Sequence, residues 1–239
     1  ISRRTAQSGR SRQDDALSVL RDSPRTREPG SHGPPSHFVR PERTGLYHQA
    51  TRKHDQMAFP RLYLGDLTLS VPIIQGGMGI GVSLSSLAAA VANAGGLGVI
   101  ATAGIGWDEP DYATDFRAAS IRALRRHIRI ARSNTKGLLG VNIMVALSNY
   151  DDMVTTAVEE GIDVIISGAG LPFSLPKLAG GGKSPKLLPI VSSGRAAAII
   201  CRKWLRQDRL PDAVVVEGPM AGGHLGFKAE HVEDPSYAL

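Results

Sequence analysis

The chain has 239 residues, 42% of them hydrophobic, enough for one buried core of about 200 residues and a tail. Its net charge of +6 is uneven: residues 1–56 hold 11 Lys+Arg against 6 Asp+Glu, and residues 57–239 hold 17 against 16. The basic balance therefore belongs to the tail. A general nucleic-acid surface is not indicated, and no apolar run reaches the ~18 residues of a membrane span.

Residues 1–56 are rich in Arg, Ser, Pro, Gly, Gln and His. Such a segment buries too little apolar surface to offset its ordering entropy, so it reads as a disordered basic tail. It lacks the apolar centre of a signal peptide. Cys201 is the single cysteine, so no intramolecular disulfide can form. A reducing, cytoplasmic setting suits that composition.

From residue 57 the pattern becomes short aliphatic runs alternating with helix-length segments. A lead-in hairpin is expected over 62–69 and a first strand over 72–76. An Ala-rich helix over 83–93 ends at Gly95-Gly96. Strands are expected near 97–101, 139–145, 163–167, 187–191 and 213–217. Helices are expected over 111–134, 150–160, 172–178 and 194–206. Strands that are apolar throughout are covered on both faces, and helices between them argue parallel pairing through right-handed crossovers. Six such β/α units in about 180 residues fit an open six-stranded α/β sheet or a barrel without its last quarter, since a closed eight-stranded barrel takes ~250 residues.

Chemistry is expected at the ends of these strands. The first runs out in Gln75-Gly76-Gly77-Met78, where glycines let a ring or a phosphate approach the backbone. The second ends in Ala101-Thr102-Ala103 without the acidic residue of a dinucleotide fingerprint, which argues against a nicotinamide Rossmann site. Later strands end in Asn142, Ser167, Ser192-Ser193 and Glu217. Amides and hydroxyls recurring at one end of successive strands suit a neutral heteroaromatic ring. After the last strand comes GPMAGGHLG, residues 218–226, with His224 among glycines. An imidazole held there can exchange a proton near neutral pH. His127 sits among Arg122, Arg125, Arg126, Arg129 and Arg132 and reads as part of a solvated helix face. Cys201, in an apolar helix, reads as core. No Cys/His cluster has metal-ligand spacing.

The segments PIIQGGMGIG (72–81), NAGGLGVI (93–100), GVNIMV (140–145), SGAGLP (167–172), PIVSSGRAA (189–197) and DAVVVEGPMAGGHLGF (212–227) together resemble the nitronate monooxygenase family, formerly 2-nitropropane dioxygenase. That family is kin to the FMN-dependent enoyl-acyl carrier protein reductase of type II. The resemblance runs from about residue 60 to the end. It implies an α/β fold of the TIM (β/α)8 type, here truncated after about six β/α units, with FMN held at the C-terminal strand ends. It places Gly76, Gly77, Met78, Asn142, Ser192, Ser193, Ala221, Gly222 and Gly223 against FMN and His224 in the catalytic position. Gln75, Ser167 and Glu217 complete the candidate cofactor-binding set from the strand ends. The implied activity is FMN-dependent oxidation of alkyl nitronates to carbonyl compounds and nitrite with O2. The alternatives are enoyl-thioester reduction and an incomplete, inactive barrel. The family's phosphate loops after the seventh and eighth strands have no counterpart within these residues. The GPMAGGH segment lacks the cysteine seen before AGH in some nitronate oxidisers and stands closer to the reductase-like branch.

Overall fold

The computed structural model describes residues 59–180, 184–223 and 225–237. The tail assigned to residues 1–56 lies outside them. Strands β1 (Leu62–Leu64) and β2 (Leu67–Leu69) form the expected antiparallel hairpin. Then α1 (Ser85–Asn93), β3 (Gly98–Ala101), α2 (Phe116–Asn134), β4 (Leu139–Met144), α3 (Tyr150–Glu159) and β5 (Val164–Gly168) alternate. They are followed by α4 (Leu175–Ala179), β6 (Lys186–Val191), α5 (Gly194–Leu205) and β7 (Val215–Val216), and by two 3-10 turns at Ala229–His231 and Pro235–Tyr237. The main sheet has the order β3-β4-β5-β6-β7, and every neighbouring pair is parallel.

Side-chain alternation along these strands builds two apolar layers. One face supplies Ile100, Val141, Ile143, Ile165, Leu187 and Val191, which pack with Leu124, Ile128, Met153, Ile200 and Trp204 of the helices. The other supplies Val99, Val164, Ile166 and Leu188, which pack with Leu97 and with Leu64 and Leu69 of the hairpin. The sheet thus curls around its own side chains, with the β1–β2 hairpin packed into that inner layer. This is the arrangement of a TIM-barrel-type fold, present here as consecutive β/α units.

Three expectations are corrected. The strand expected over 72–76 makes only one parallel bridge, Ile74 to Leu97, before the backbone turns away through its glycines. The strand expected over 213–217 is ordered as a ladder only at Val215 and Val216, because β6 flanks it on one side alone. The helix expected from 111 begins at Phe116, because the Asp115 side chain accepts the Ala118 N–H as its cap, and turns occupy the residues before it.

The arginine face of α2 is not simply solvated. Arg117 pairs with Asp152, Arg125 with Glu159 and Glu160, and Arg129 with Glu160, all on or just beyond α3. Arg122 and Arg126 pair with Glu109, and Arg122 also with Asp111. His127 turns inward and shares a hydrogen bond with the buried Ser85 of α1, 3.1 Å away. Desolvation, reinforced by Arg126, holds its pKa below the ordinary histidine value.

The N-terminal strand ends share a repeated device. The Asp163 carboxylate, just before β5, accepts the Leu139 N–H that opens β4 at 2.9 Å and pairs with Arg132 at 2.6 Å. Asp212, before β7, accepts the Leu187 N–H of β6 at 2.9 Å and pairs with Arg209 at 2.7 Å. Each carboxylate fixes the stagger of the neighbouring strand and pairs with an arginine, Arg132 in the last turn of α2 and Arg209 in the turn after α5. Removing one orphans a backbone N–H. Asp163→Ala and Asp212→Ala should each cost about 2 kcal/mol, read as a fall in Tm of roughly 4–8 °C. A second outcome concerns pH. The unfolded His127 takes up its proton at a higher pH than the folded one, so its contribution to stability is complete above about pH 6.5 and declines as pH falls toward the lower folded-state value. Urea unfolding between pH 5 and pH 7 should show this decline in the parent and a flatter profile in His127→Gln.

Candidate functional site

The C-terminal ends of the parallel strands all open on one side, where such a barrel carries its chemistry. The segment Gly76–Met78 reaches that side by a knot of hydrogen bonds. The buried Gln75 amide donates to the Val99 carbonyl (2.9 Å) and to Ser83 Oγ (3.0 Å), and its oxygen accepts the Val99 N–H (3.2 Å). Ser83 Oγ donates to the Gly76 carbonyl and accepts the Met78 N–H, both at 3.0 Å. The Gln75 side chain therefore holds the segment to the sheet and points no donor at the opening. Ser83 was read in the sequence only as a helix start. Its signal is its place directly between the glycine run and the helix, where a hydroxyl can serve backbone groups on both sides.

Gly77 lies directly against Asn142. A Cβ on Gly77 would sit 2.5 Å from Asn142 Cβ and Cγ. Asn142 alternates with the outer-layer residues Val141 and Ile143, so its side chain faces the barrel interior. Its carbonyl binds Thr102, while its side-chain amide has no hydrogen-bond partner among the described residues. Gly76 has open space where a side chain would be, and Met78 is 45% exposed. These residues leave one surface with a free amide, backbone groups and a thioether beside it.

Ser167 is fully buried, and its hydroxyl meets the Tyr150 hydroxyl at 3.1 Å in the helix layer. It does not face the interior. Burial pushes the Tyr150 phenol up to about 12, so it stays a neutral hydrogen-bonding group. Ser193 caps α5 by accepting the Ala196 N–H at 3.2 Å. Ser192 donates to Glu217 at 2.9 Å, and the same carboxylate oxygen accepts the Gly226 N–H at 2.7 Å. Ala221, Gly222 and Gly223 are exposed. His224 lies outside the described residues. The strand ends thus divide the candidate set. Gly76, Gly77, Met78 and Asn142 form an open surface, whereas the side chains of Gln75, Ser167, Ser193 and the Ser192–Glu217 pair are engaged within the protein.

The chemistry of this surface fits the ring of a flavin. Amide and backbone groups complement a neutral uracil-like edge, and the Gly77 position lets a flat molecule approach the chain. Two depressions lie near the opposite strand ends, one beside Leu187 and Arg209 and the other beside Leu69 and Lys136. Among the described residues no group of His, Cys, Asp and Glu could hold a metal ion, and no helix is long and apolar enough to cross a membrane.

Comparison with solved structures returns proteins of the same architecture. The FabK structure from Thermotoga maritima is 32% identical over 66% of this chain and 44% of its own, with a TM-score of 0.53. Its M276A mutant is 34% identical over 66% and 46%, with a TM-score of 0.52. A nitroalkane oxidase from Streptomyces ansochromogenes shares the fold at 21% identity, over 68% of this chain and 51% of its own, with a TM-score of 0.51. The chain spans less than half the length of the FabK structures it matches. No match was found among curated proteins. The family model described as nitronate monooxygenase matches residues 62–237, the greater part of the chain, and with the order of strand-end segments this establishes that the chain belongs to the nitronate monooxygenase family.

Proposed function

We propose that residues 57–239 belong to an FMN-dependent oxidoreductase that oxidises alkyl nitronates, with residues 1–56 as a basic tail outside the catalytic unit. The observation that carries this reading is the contact of Gly77 with Asn142, which leaves an unpartnered amide beside an open glycine backbone. Membership of the nitronate monooxygenase family supports the choice of nitronate as substrate. FMN, when bound, supplies the redox chemistry. The chain supplies position and polarity. Asn142 and the backbone of Gly76 to Met78 bind and orient the ring. His224 holds or moves a proton at the nitronate oxygens and offsets their charge. The products are a carbonyl compound and nitrite, with O2 as oxidant. The cytoplasm is the proposed location.

A second reading is kept because the identity to the FabK structures, 32–34%, exceeds that to the nitroalkane oxidase, 21%. In it, a nicotinamide donor reduces the flavin and His224 supplies a proton during enoyl-thioester reduction. A paired assay on one preparation separates them. Nitrite release from a nitronate is expected under the first, and nicotinamide oxidation dependent on a crotonyl-type thioester under the second. Absence of flavin absorbance in the purified full-length protein would defeat both and favour an inactive barrel.

Two substitutions test the residue roles. Gly77→Val places branched carbons where Asn142 stands and should abolish FMN binding. Stoichiometric flavin in the folded variant would remove Gly77 from the site. His224→Ala should retain flavin and Tm while turnover falls ~10²–10⁴-fold, the usual cost of losing one general acid or base. Unchanged turnover would take His224 out of the mechanism.

A further inference from the structure

The glycine segment runs on past Met78 and packs against the loop that follows β3. Gly77 lies against Asn142, a Cβ on Gly79 would sit 3.0 Å from Ala103, and one on Gly81 would sit 3.1 Å from the Trp107 indole nitrogen. In return, a Cβ on Gly104 would come within 2.7 Å of the Ile80 side chain. Residues 76–82 and 102–107 thus interlock beside Asn142, whose carbonyl accepts both the N–H and the hydroxyl of Thr102 at 3.0 Å. The second loop is itself held. Ile105 and Trp107 donate their N–H groups to the Thr102 and Gly104 carbonyls at 3.1 and 3.2 Å, and Glu109 on its far side pairs with Arg122 and Arg126 of α2. What the two loops present is apolar. Met78, Ile80, Val82 and Trp107 are all exposed, Ile80 by 53% and Trp107 by 60%. The two tryptophans differ in this. Trp204 is fully buried and its indole N–H donates to the Pro172 carbonyl at 2.9 Å, whereas the Trp107 indole N–H has no hydrogen-bond partner among the described residues.

We infer that Trp107 and Ile80 are specificity-determining residues, forming an apolar shelf that receives the hydrocarbon chain attached to the substrate's reacting group. This rests on the flavin reading, which sets the reacting group over Gly76–Met78 and Asn142. The shelf continues that surface along the same chain segment, so a chain leaving the reacting group in this direction loses water against Ile80 and Trp107. Apolar side chains that cluster on an exposed surface mark a binding site, and loops already fixed by hydrogen bonds and ion pairs need little ordering to bind. The size of the cluster selects the occupant. Four side chains are far fewer than the ~20–30 residues per partner of a stable protein interface, but they match a chain of several methylenes. The nearby carboxylates of Asp108 and Glu109 are paired with Arg126. A chain lying on a shelf buries one of its sides, so each methylene gains about half of full transfer, roughly twofold in binding.

The test compares the full-length protein with Trp107→Ala and Trp107→Phe. KM and kcat are read along two series, 1-alkyl nitronates from ethyl to octyl and 2-enoyl thioesters from crotonyl to octenoyl, beside flavin content. The series that is turned over identifies the source of the chain. In the parent, KM is expected to fall roughly twofold per added methylene. In Trp107→Ala this dependence flattens, and in Trp107→Phe, whose ring still covers the shelf, most of it returns. A merely structural loss would lower kcat alike at every length. Acrylamide quenching of indole emission gives a readout free of turnover: in the flavin-free parent Trp107 is quenched and 1-nitrooctane shields it, whereas Trp107→Phe, left with the buried Trp204, shows neither effect. A KM indifferent to chain length in the parent, or an equal slope in Trp107→Ala, overturns the inference. Loss of flavin from folded Trp107→Ala also overturns it and makes the indole a flavin contact. An indole already shielded without ligand overturns it as well, because another part of the protein or a second copy then covers the shelf. Should Trp107→Ala not fold, Ile80→Ser decides: a flattened series supports the shelf, and an unchanged slope overturns it. If neither series is turned over, the flavin reading fails and quenching alone judges the shelf: shielding by 1-nitrooctane supports it, and no shielding overturns it.

Discussion

The hydrogen-bond knot around the Gln75 side chain is the constraint on which the open end of this protein depends. Among the described residues the segment before it forms one bridge, from Ile74 to Leu97 just ahead of β3, so the sheet cannot by itself hold Gly76–Met78 in place. A buried side-chain amide does so instead, and it spends both donors and its acceptor on the Val99 backbone and on Ser83. Each of these groups would be costly to leave unpaired in the interior. Ser83 completes the knot by serving the Gly76 carbonyl and the Met78 N–H together. The consequence is that the glycine segment can be exposed and still be fixed. That combination lets Gly77 press against Asn142 without a strand ladder beneath it.

The two ends of the strands divide their labour. At the N-terminal ends, Asp163 and Asp212 are tied to backbone N–H groups and to arginines. These carboxylates are engaged with the fold itself. At the C-terminal ends, the Asn142 side chain has no hydrogen-bond partner among the described residues, and Gly76 and Gly77 are exposed. Stability is concentrated where chemistry is absent, and polar capacity is left unused where chemistry is expected. The hairpin β1–β2 belongs to the first end: Leu64 and Leu69 join the inner apolar layer and exclude water from it.

Much of this was legible in the sequence, for identifiable reasons. Aliphatic runs such as Val164–Ile166 and Leu187–Val191 are apolar on both faces, and only a covered parallel sheet accommodates that. The Ser193 cap of α5 stands at the start expected for that helix, whereas the Asp115 cap moves the start of α2 from the expected 111 to 116. What failed to read were contacts between residues far apart in the chain. The α2 arginines look like a solvated stripe because their acidic partners on α3 lie about 30 residues away, and only packing of the two helices brings them together. His127 looked exposed for the same reason, since Ser85 is 42 residues from it.

The strand-end polar residues illustrate the deeper limit. Gln75, Ser167 and Glu217 each close an aliphatic run, whereas Asn142 lies within one, with Ile143 and Met144 after it. Parity along the strand separates them. Asn142 falls on the inner face, with Gly140 and Met144, while Ser167 falls with Ile165 on the helix face and meets Tyr150. A shift of one residue reverses the face, so a strand end misjudged by one position turns a ligand candidate into a core hydroxyl. Glu217 escapes even this rule, because its role is set by a loop that returns nine residues later. The type of residue at a strand end therefore says that polarity is wanted there; the facing of the side chain and the path of the following loop determine whether that polarity is offered to a ligand or used by the protein.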